Sequence, residues 1–272
     1  MSSSPTGLLA TAAAILERLR QERPLIHHIT NLVVTNTTAN ATLAIGASPV
    51  MAHAPEEVAE MARAARALVL NIGTLSREQV EAMLLAGEAA AEAGVPIILD
   101  PVGAGATAYR TETVQRLLDR LPVTVLRGNG AEVAILAGGE ATVRGVDGVQ
   151  AGDVATLVRT LAQERQLVAA ATGATDWVSD GRAVLAVENG HPWLQLVTGT
   201  GCMATSVVAA FVAVHPNPLE ATAAALAAFG LAAEQAAQEA QGPGTLQARL
   251  LDSLHGLTPA QLAQGARLRR VA

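Results

Sequence analysis

Short apolar runs that alternate with helical patterns are the feature that most constrains the fold of this chain. Five such runs end in polar or glycine residues, namely PLIHHIT, ALVLNIGTL, VPIILD, VTVLRG and LVAAATG. Continuous apolar strands of this kind are typical of a sheet that is buried on both faces. Residues 8–22 and 77–93 show the periodicity of helices that would cover it. The alternation predicts an α/β fold with three layers, α/β/α, around a mostly parallel central sheet.

The pattern changes after residue 173. TDWVSD, GRAVLAVE and PWLQLV are predicted as three short strands, separated by Asp180-Gly181 and Asn189-Gly190. Because these dipeptides favour hairpin turns, we expect an antiparallel edge on the sheet. Residues 138–149 are predicted as a loop. No linker or internal repeat divides the chain, so residues 1–272 are interpreted as a single domain.

Composition excludes several classes of function. The net charge is −6 and aromatic residues make up 2% of the chain, which argues against nucleic-acid binding. All 18 residues counted as Lys or Arg are arginine, so a P-loop lysine and a Schiff-base lysine are both excluded. The apolar stretches are interrupted before about 18 residues, so no membrane span is predicted.

A single cysteine, Cys202, cannot form an internal disulfide. The N-terminal residues also lack the basic segment of a secretory signal. A cytoplasmic location is the resulting expectation.

The glycine-rich stretch VTGTGCMAT, residues 197–205, leads directly into the apolar run VVAAFVAV. Gly199 and Gly201 allow positive φ angles and close approach of a ligand, while the free N–H groups of the following helix attract an anion. The stretch predicts a phosphate-binding site, and in its more specific form a kinase site with Cys202 beside the phosphate that is transferred. A simple tight turn is the alternative interpretation, since such motifs are only hypotheses.

Other polar residues follow the predicted strands, where ligands bind in an open α/β sheet. Asp100 and Glu132 are carboxylates suited to hold Mg²⁺, although each is equally typical of a helix cap or a helix N-terminus. Arg127 is a candidate phosphate ligand, with a role in a surface ion pair as the alternative. Thr172 is the polar residue at the end of another predicted strand, LVAAAT. Together these side chains predict a nucleotide site.

Histidine and methionine residues give weaker signals. His27 and His28 would point in opposite directions on a strand, so at most one is expected to face a site. The six histidines are scattered and no Cys-x-x-Cys pair exists, which argues against zinc. Met51 is more typical of a packing residue than of a ligand contact.

The chain resembles the hydroxyethylthiazole kinase family of the ribokinase-like superfamily. The resemblance covers most of the chain, in the stretches HHITNLVVTNTTANATLAIGASPVMA, LNIGTL, ILDPVGAGAT, LRGNGAEV and VTGTGCMAT. It implies transfer of a phosphoryl group from ATP, with Mg²⁺, to the alcohol of 4-methyl-5-(2-hydroxyethyl)thiazole in thiamine salvage. It also implies a homotrimer with active sites between subunits.

The resemblance further implies roles for individual residues. The thiazole would contact Asn31, Met51 and Gly199. The remaining implied ligands are Arg127, Thr172, Thr198, Thr200 and Gly201 for ATP and its phosphates, and Asp100 and Glu132 for magnesium. Cys202 would stand where many ribokinase relatives carry a catalytic Asp.

The resulting hypothesis is in-line attack by the substrate hydroxyl on the γ-phosphate of ATP. Cys202 is a candidate acceptor for the hydroxyl proton, because a helix N-terminus lowers the pKa of a thiol. Three alternatives stay open. The first is that Cys202 is only a packing residue, and the second is that the acceptor is another small alcohol such as hydroxymethylpyrimidine. The third is that the chain is a non-catalytic sensor of a nucleotide or a thiazole.

Overall fold

The computed structural model describes residues 5–138 and 151–271. The predicted loop 138–149 lies outside the described residues from residue 139 onwards. A single nine-stranded sheet runs through the described chain in the order β2-β1-β3-β4-β5-β6-β7-β8-β9. Its strands are β1 (Leu25–Ile29), β2 (Ser48–Val50), β3 (Ala67–Asn71), β4 (Ile97–Asp100), β5 (Val125–Asn129), β6 (Val168–Thr172), β7 (Asp176–Ser179), β8 (Val184–Val187) and β9 (Leu268–Arg270).

The pairing of the strands confirms a parallel sheet with an antiparallel edge. Strands β1 to β6 pair in parallel, and β6 to β9 pair antiparallel. The parallel strands β3 and β4 are buried along their whole length, as their continuous apolar sequences require.

Helices cover both faces of the sheet. They are α1 (Pro5–Glu22), α2 (Thr35–Ile45), α3 (Val58–Ala64), α4 (Arg77–Glu92), α5 (Ala108–Arg120), α6 (Gly130–Leu136), α7 (Ala151–Arg165), α8 (Thr200–Val212), α9 (Pro218–Glu239), α10 (Pro243–Gly256) and α11 (Pro259–Gly265). One apolar cluster joins the sheet to α1, α2 and α8 to α11, and a second joins its other face to α3 to α7. The three-layer α/β/α prediction is confirmed.

The antiparallel edge differs from the sequence prediction in one strand. PWLQLV is not a strand, because Pro192–Leu196 forms a 3₁₀ helix. Pro192 stands at its first turn, where proline has no hydrogen bond to lose, and the His191 side chain accepts from the N–H of Trp193. The pairing edge of β8 is filled instead by β9, at the C-terminal end of the described chain.

Alternation along the strands places the polar strand ends on one face of the sheet. Side chains two residues apart point the same way. Val69, Ile98 and Val125 pack in the cluster that contains α8, so Asn71, Asp100 and Arg127 point towards the same helix layer. Long-range contacts between those side chains and α8 follow from this geometry. No helix in the described part of the chain is both long and apolar enough to cross a membrane.

Candidate active site

Asp100 is held in a buried network at the carboxyl end of β4. Its side chain is only 1% exposed, and its Oδ2 accepts hydrogen bonds from Asn71 Nδ2 and Thr205 Oγ1, both at 2.9 Å. Burial raises the pKa of Asp100, while the charge of Arg127 and the hydrogen bonds from Thr205 and Asn71 act in the opposite direction. The carboxylate is therefore fixed in position but poorly compensated in charge.

Glu132 lies beside Asp100 and takes part in a helix cap. Its Oε1 accepts from the N–H of Gly103 at 2.7 Å and its Oε2 accepts from the N–H of Asn129 at 2.8 Å. Asn129 in turn caps α6 through the N–H of Glu132, which completes a capping box. Burial and the charge of Asp100 raise the pKa of Glu132. Glu132 thus serves a cap and still adds negative charge to the site.

These two carboxylates fit a magnesium site. The charge of Asp100 raises the pKa of Glu132, and a divalent cation held by both carboxylates would offset this repulsion. Within the described residues, no group of three or more His, Cys, Asp or Glu side chains is placed to hold a metal ion alone. A cation held here would therefore complete its coordination with water and phosphate oxygens, which is the usual situation for Mg²⁺.

The glycine-rich stretch forms the N-terminus of α8. Gly199 is the N-cap residue with φ +83°, and no side chain caps the helix there. The first intrahelical bond runs from Met203 N to Gly199 O at 2.8 Å, so the amides of Thr200, Gly201 and Cys202 have no partner within the helix. Three N–H groups at the positive end of a helix are suited to bind an anion.

The two threonines of this stretch have different environments. The hydroxyl of Thr200 donates to the carbonyl groups of Leu194 and Val197 at 2.8 and 3.1 Å, so its hydrogen is used within the turn. The side chain of Thr198 is exposed. The backbone amide of Thr200, rather than its hydroxyl, is the donor available to a phosphate.

Arg127 reaches from β5 to the same helix N-terminus. A Cβ atom at Gly201 would lie 2.9 Å from Arg127 Nη1, so the lack of a side chain at Gly201 lets the guanidinium approach the helix this closely. Arg127 Nη2 donates to Thr172 Oγ1 at the end of β6. Its buried Nε has no hydrogen-bond partner. The guanidinium therefore lies at the uncapped amides with donor capacity to spare, as a phosphate clamp requires.

Cys202 lies where α8 meets Asp100, but its acidity differs from the sequence prediction. The expectation that the helix N-terminus lowers its pKa is wrong, because burial and the charge of Asp100 raise the pKa of the thiol to about 12. Cys202 Sγ accepts from Asn71 Nδ2 at 3.2 Å and from Asn31 Nδ2 at 3.7 Å. The residue is neutral near pH 7 and positioned by two amides.

The residues assigned to the thiazole lie at the carboxyl ends of β1 and β2. Asn31 is buried and donates to Asn71 Oδ1 at 2.8 Å. His53 Nδ1 binds the carbonyl group of Met51 at 3.0 Å, and its Nε2 accepts from the N–H of Thr30 at 3.2 Å. The structure thus links the Met51 backbone to the segment that carries Asn31.

Gly199 closes this side of the site. A Cβ atom there would lie 2.6 Å from Val34 Cγ1, so glycine is required both for the positive φ angle and for the approach of α2. His27 and His28 are fully buried and bind the Ala52 carbonyl and Thr42 hydroxyl groups instead. Neither histidine shares a hydrogen bond with Asn31, Asn71 or Cys202.

Three buried side chains of this region were not selected from the sequence. Asn71 and Thr205 join Asp100 to Cys202 and α8, and Asp176 accepts from the N–H of Gly173 at 2.9 Å. Asn71 could have been found as the polar end of the run ALVLN. Thr205 follows Cys202 by three residues, a spacing that places both on one helix face.

Asp176 gives the free energy of unfolding a testable pH dependence. Burial raises its pKa from 3.8 to about 7. Because the folded chain then holds this proton to a higher pH than the unfolded chain, the free energy of unfolding falls as the pH rises from about 4 to about 7. We expect Asp176→Asn, which retains an acceptor for Gly173, to remove a slope of up to about 1.4 kcal/mol per pH unit.

The measurement is urea unfolding of both proteins at pH 5 and at pH 7.5. The difference in the free energy of unfolding between the wild type and Asp176→Asn should shift in favour of the wild type at pH 5. The interpretation fails when both proteins show the same pH dependence. Asp180→Asn, a substitution in an exposed turn, is the control.

Solved structures define the class of fold. The fold matches the pyridoxal kinase from Staphylococcus aureus in complex with ADP, with a TM-score of 0.57 and 16% identity over 77% of this chain and 86% of that chain. In this chain, the ends of the parallel strands carry buried carboxylates and an arginine, and they lie beside an uncapped helix N-terminus. The chain has the ribokinase-like class of fold.

Closer relatives give the family. A sequence model of the hydroxyethylthiazole kinase family matches residues 16–260. The chain is 56% identical to the hydroxyethylthiazole kinase of Moorella thermoacetica over 93% of this chain and 95% of that relative. It superposes on the hydroxyethylthiazole kinase of Pyrococcus horikoshii OT3 with a TM-score of 0.89 and 48% identity, over 96% and 99% of the two chains. The chain belongs to the hydroxyethylthiazole kinase family.

Proposed function

We propose that this enzyme transfers the γ-phosphoryl group of ATP to the alcohol of 4-methyl-5-(2-hydroxyethyl)thiazole, in thiamine salvage. The observation that carries the proposal is the uncapped N-terminus of α8, where Arg127, Cys202 and Asp100 converge. Membership of the family supports the choice of substrate. A cytoplasmic location stays a prediction from the cysteine content and the N-terminal sequence.

In this proposal, backbone amides and arginine would bind the charged phosphates. Amides of Thr200, Gly201 and Cys202 would meet the equatorial oxygens of the transferred group, and Arg127 would approach from β5. Thr172 would orient Arg127 through their hydrogen bond. Because lysine is absent from the chain, these groups carry the phosphate charge that a lysine bears in P-loop enzymes.

Asp100 and Glu132 would hold Mg²⁺. A bound Mg²⁺ would neutralise charge on the phosphate oxygens during transfer. Asp100 is fixed for this task by Asn71 and Thr205, and Glu132 by two backbone amides.

Cys202 would position the substrate hydroxyl rather than remove its proton beforehand. With a pKa of about 12, the thiol is almost entirely protonated at neutral pH. Phosphoryl transfer passes through a loose transition state, in which positioning and electrostatic stabilisation supply most of the rate. The alcohol therefore does not have to be deprotonated by a strong base before attack.

This role predicts a moderate effect for Cys202→Ala. We expect kcat to fall about tenfold, less than the loss of a true general base, which is worth about 10²–10⁴-fold. The KM for ATP should stay within about twofold, because Arg127 and the backbone amides are retained. Ser206→Ala, one turn further along α8, is the matched control. An unchanged kcat in Cys202→Ala would reduce Cys202 to a packing residue.

A coupled assay of ADP release with ATP, Mg²⁺ and the thiazole alcohol tests the proposed function. The expected result is turnover well above a control without the alcohol. Tight binding of ATP and the alcohol without turnover would instead identify a sensor. A panel that includes hydroxymethylpyrimidine, ranked by kcat/KM, tests the acceptor, and a better substrate than the thiazole would overturn our assignment.

We also propose a homotrimer with its active sites between subunits. Leu32 and Val33, which follow Asn31, are 81% and 64% exposed, and Leu196, which precedes the glycine-rich turn, is 62% exposed. Large apolar side chains in such positions are typical of a surface that another protein covers. Their closeness in sequence to Asn31 and Gly199 supports an interface that reaches the thiazole side of the site.

The oligomer is tested by light scattering coupled to size-exclusion chromatography. The wild type should have three times the 27.7 kDa mass of one chain. Leu32→Glu should give smaller species and lose activity, because burying an unpaired carboxylate in an interface is costly. Leu85→Glu, at an exposed leucine of α4, should remain trimeric. A monomeric wild type with full activity would overturn this part of the proposal.

A further inference from the structure

Asn71, the last residue of β3, is a buried hub between the parts of the site. It is 1% exposed. Its Oδ1 accepts from Asn31 Nδ2 at 2.8 Å and from Gly73 N at 2.9 Å. Its Nδ2 donates to Asp100 Oδ2 at 2.9 Å and to Cys202 Sγ at 3.2 Å. One amide side chain thus uses both of its donors and both of its acceptor positions.

The orientation of this amide follows from its neighbours. A backbone N–H can only donate, so the atom of Asn71 that faces Gly73 must be the oxygen. The NH₂ group then necessarily faces Asp100 and Cys202. Asp100 is a carboxylate that accepts hydrogen bonds, so the orientation required by Gly73 also suits the contact with Asp100. The side chain has one orientation that satisfies all four partners.

This orientation determines the position of Asp100. Its Oδ2 receives Asn71 from β3 and Thr205 from α8, each at 2.9 Å. Two donors from different elements on the same oxygen prevent rotation of the carboxylate. In the register of the sheet, Asn71 and Asp100 are direct partners on adjacent strands. The β3–β4 pairing therefore brings the amide to the carboxylate without any movement of a loop.

The same amide also positions Cys202 and Asn31. Cys202 Sγ receives N–H groups from both asparagines, and Asn31 is held by Asn71 Oδ1. The side chains that would contact the alcohol and the one that would hold the metal ion are thus tied to one residue. A shift of about 1 Å at such a residue is enough to cost about 10²-fold in rate.

We propose that Asn71, supported by Thr205, is a positioning residue for phosphoryl transfer, which aligns the Asp100 carboxylate with Cys202 and Asn31. The inference rests on the proposed function. It assigns no contact between Asn71 and the phosphates, for which the proposed ligands are Arg127 on β5 and the backbone amides at the start of α8. Loss of Asn71 should therefore reduce kcat with little change in the KM for ATP.

The test compares Asn71→Ala with Asn189→Ala by steady-state kinetics and thermal unfolding. Asn189 is also a buried asparagine with several partners, since it donates to Glu234 and Gly265 and accepts from Arg267 N. It lies after β8 and shares no partner with Asn71. We expect Asn71→Ala to lower kcat about 30-fold, with the KM for ATP within about threefold of the wild type. Asn189→Ala should keep its kcat within about threefold at a similar loss of stability.

A kcat within about threefold of the wild type in Asn71→Ala would overturn the inference. An equal loss of kcat in Asn189→Ala would also overturn it, because the effect would then be one of general stability. If Asn71→Ala does not fold, Thr205→Val is tested in its place, because it removes the other donor to Asp100 Oδ2. An unchanged kcat in Thr205→Val would overturn the inference. An inactive wild type overturns the proposed function and the inference together, whereas an active wild type isolates the inference.

Discussion

Arg127→Met should lower kcat/KM for ATP about 10²–10³-fold, the usual effect of removing one preorganised group that stabilises transition-state charge. The guanidinium lies against Gly201 and the uncapped amides of α8. No lysine exists in the chain to replace its charge. Methionine replaces the aliphatic part of the arginine side chain and carries no charge, so the substitution removes the interaction with phosphate while keeping part of the packing.

Steady-state kinetics with ATP as the varied substrate would measure this effect. Arg127→Lys keeps the positive charge but loses the planar fork, so it should recover only part of the activity. Arg165→Met is a remote control, since Arg165 pairs with Asp119 and Gln115 in the other helix layer. Arg127→Met with near-normal kcat/KM would show that the amides alone bind the phosphate.

Asp100→Asn should lower kcat about 10²–10³-fold and raise the Mg²⁺ concentration needed for half-maximal activity about tenfold or more. Asparagine keeps the shape of the side chain, and its oxygen can still accept from Asn71 and Thr205. The negative charge is the main property lost. A large loss of activity in an otherwise intact network would identify that charge as the functional element.

Stability provides an independent check on Asp100→Asn. Because burial raises the pKa of Asp100 above its unfolded value, the ionised carboxylate destabilises the metal-free fold at pH values above the raised pKa. The metal-free Asp100→Asn protein should therefore have the same Tm as the wild type at pH 8, or a higher one. Asp180→Asn at the opposite end of the sheet is the control. Full activity at ordinary Mg²⁺ concentrations would contradict the assignment.

Much of the fold could be predicted from the sequence because its determinants are local. The apolar runs that became β3 and β4 and the Asn129 cap of α6 depend on residues close together in the chain. The 3₁₀ helix at Pro192–Leu196 was wrongly predicted as a strand because the edge of β8 is paired by residues about 80 positions away. No local pattern contains that information.

The candidate site divides in the same way. Its residue types, from the glycines of residues 197–205 to Asp100 and Arg127, were recognisable in the sequence. The pKa of Cys202 was predicted in the wrong direction, because burial and Asp100 outweigh the helix N-terminus. Asn71 and Thr205 were missed because their hydrogen bonds join elements that are distant in the chain.

The sequence by itself therefore determined the class of fold, the absence of lysine chemistry and the glycine-rich turn before α8, all of which follow from residue type and spacing. The tertiary structure alone decided which side chains meet and what their ionisation is. Strand register places Asn71 beside Asp100, and packing of α8 against the sheet brings Cys202 and Thr205 to the same carboxylate. Desolvation and long-range contacts depend on the whole folded chain, and so they have no counterpart in a local sequence pattern.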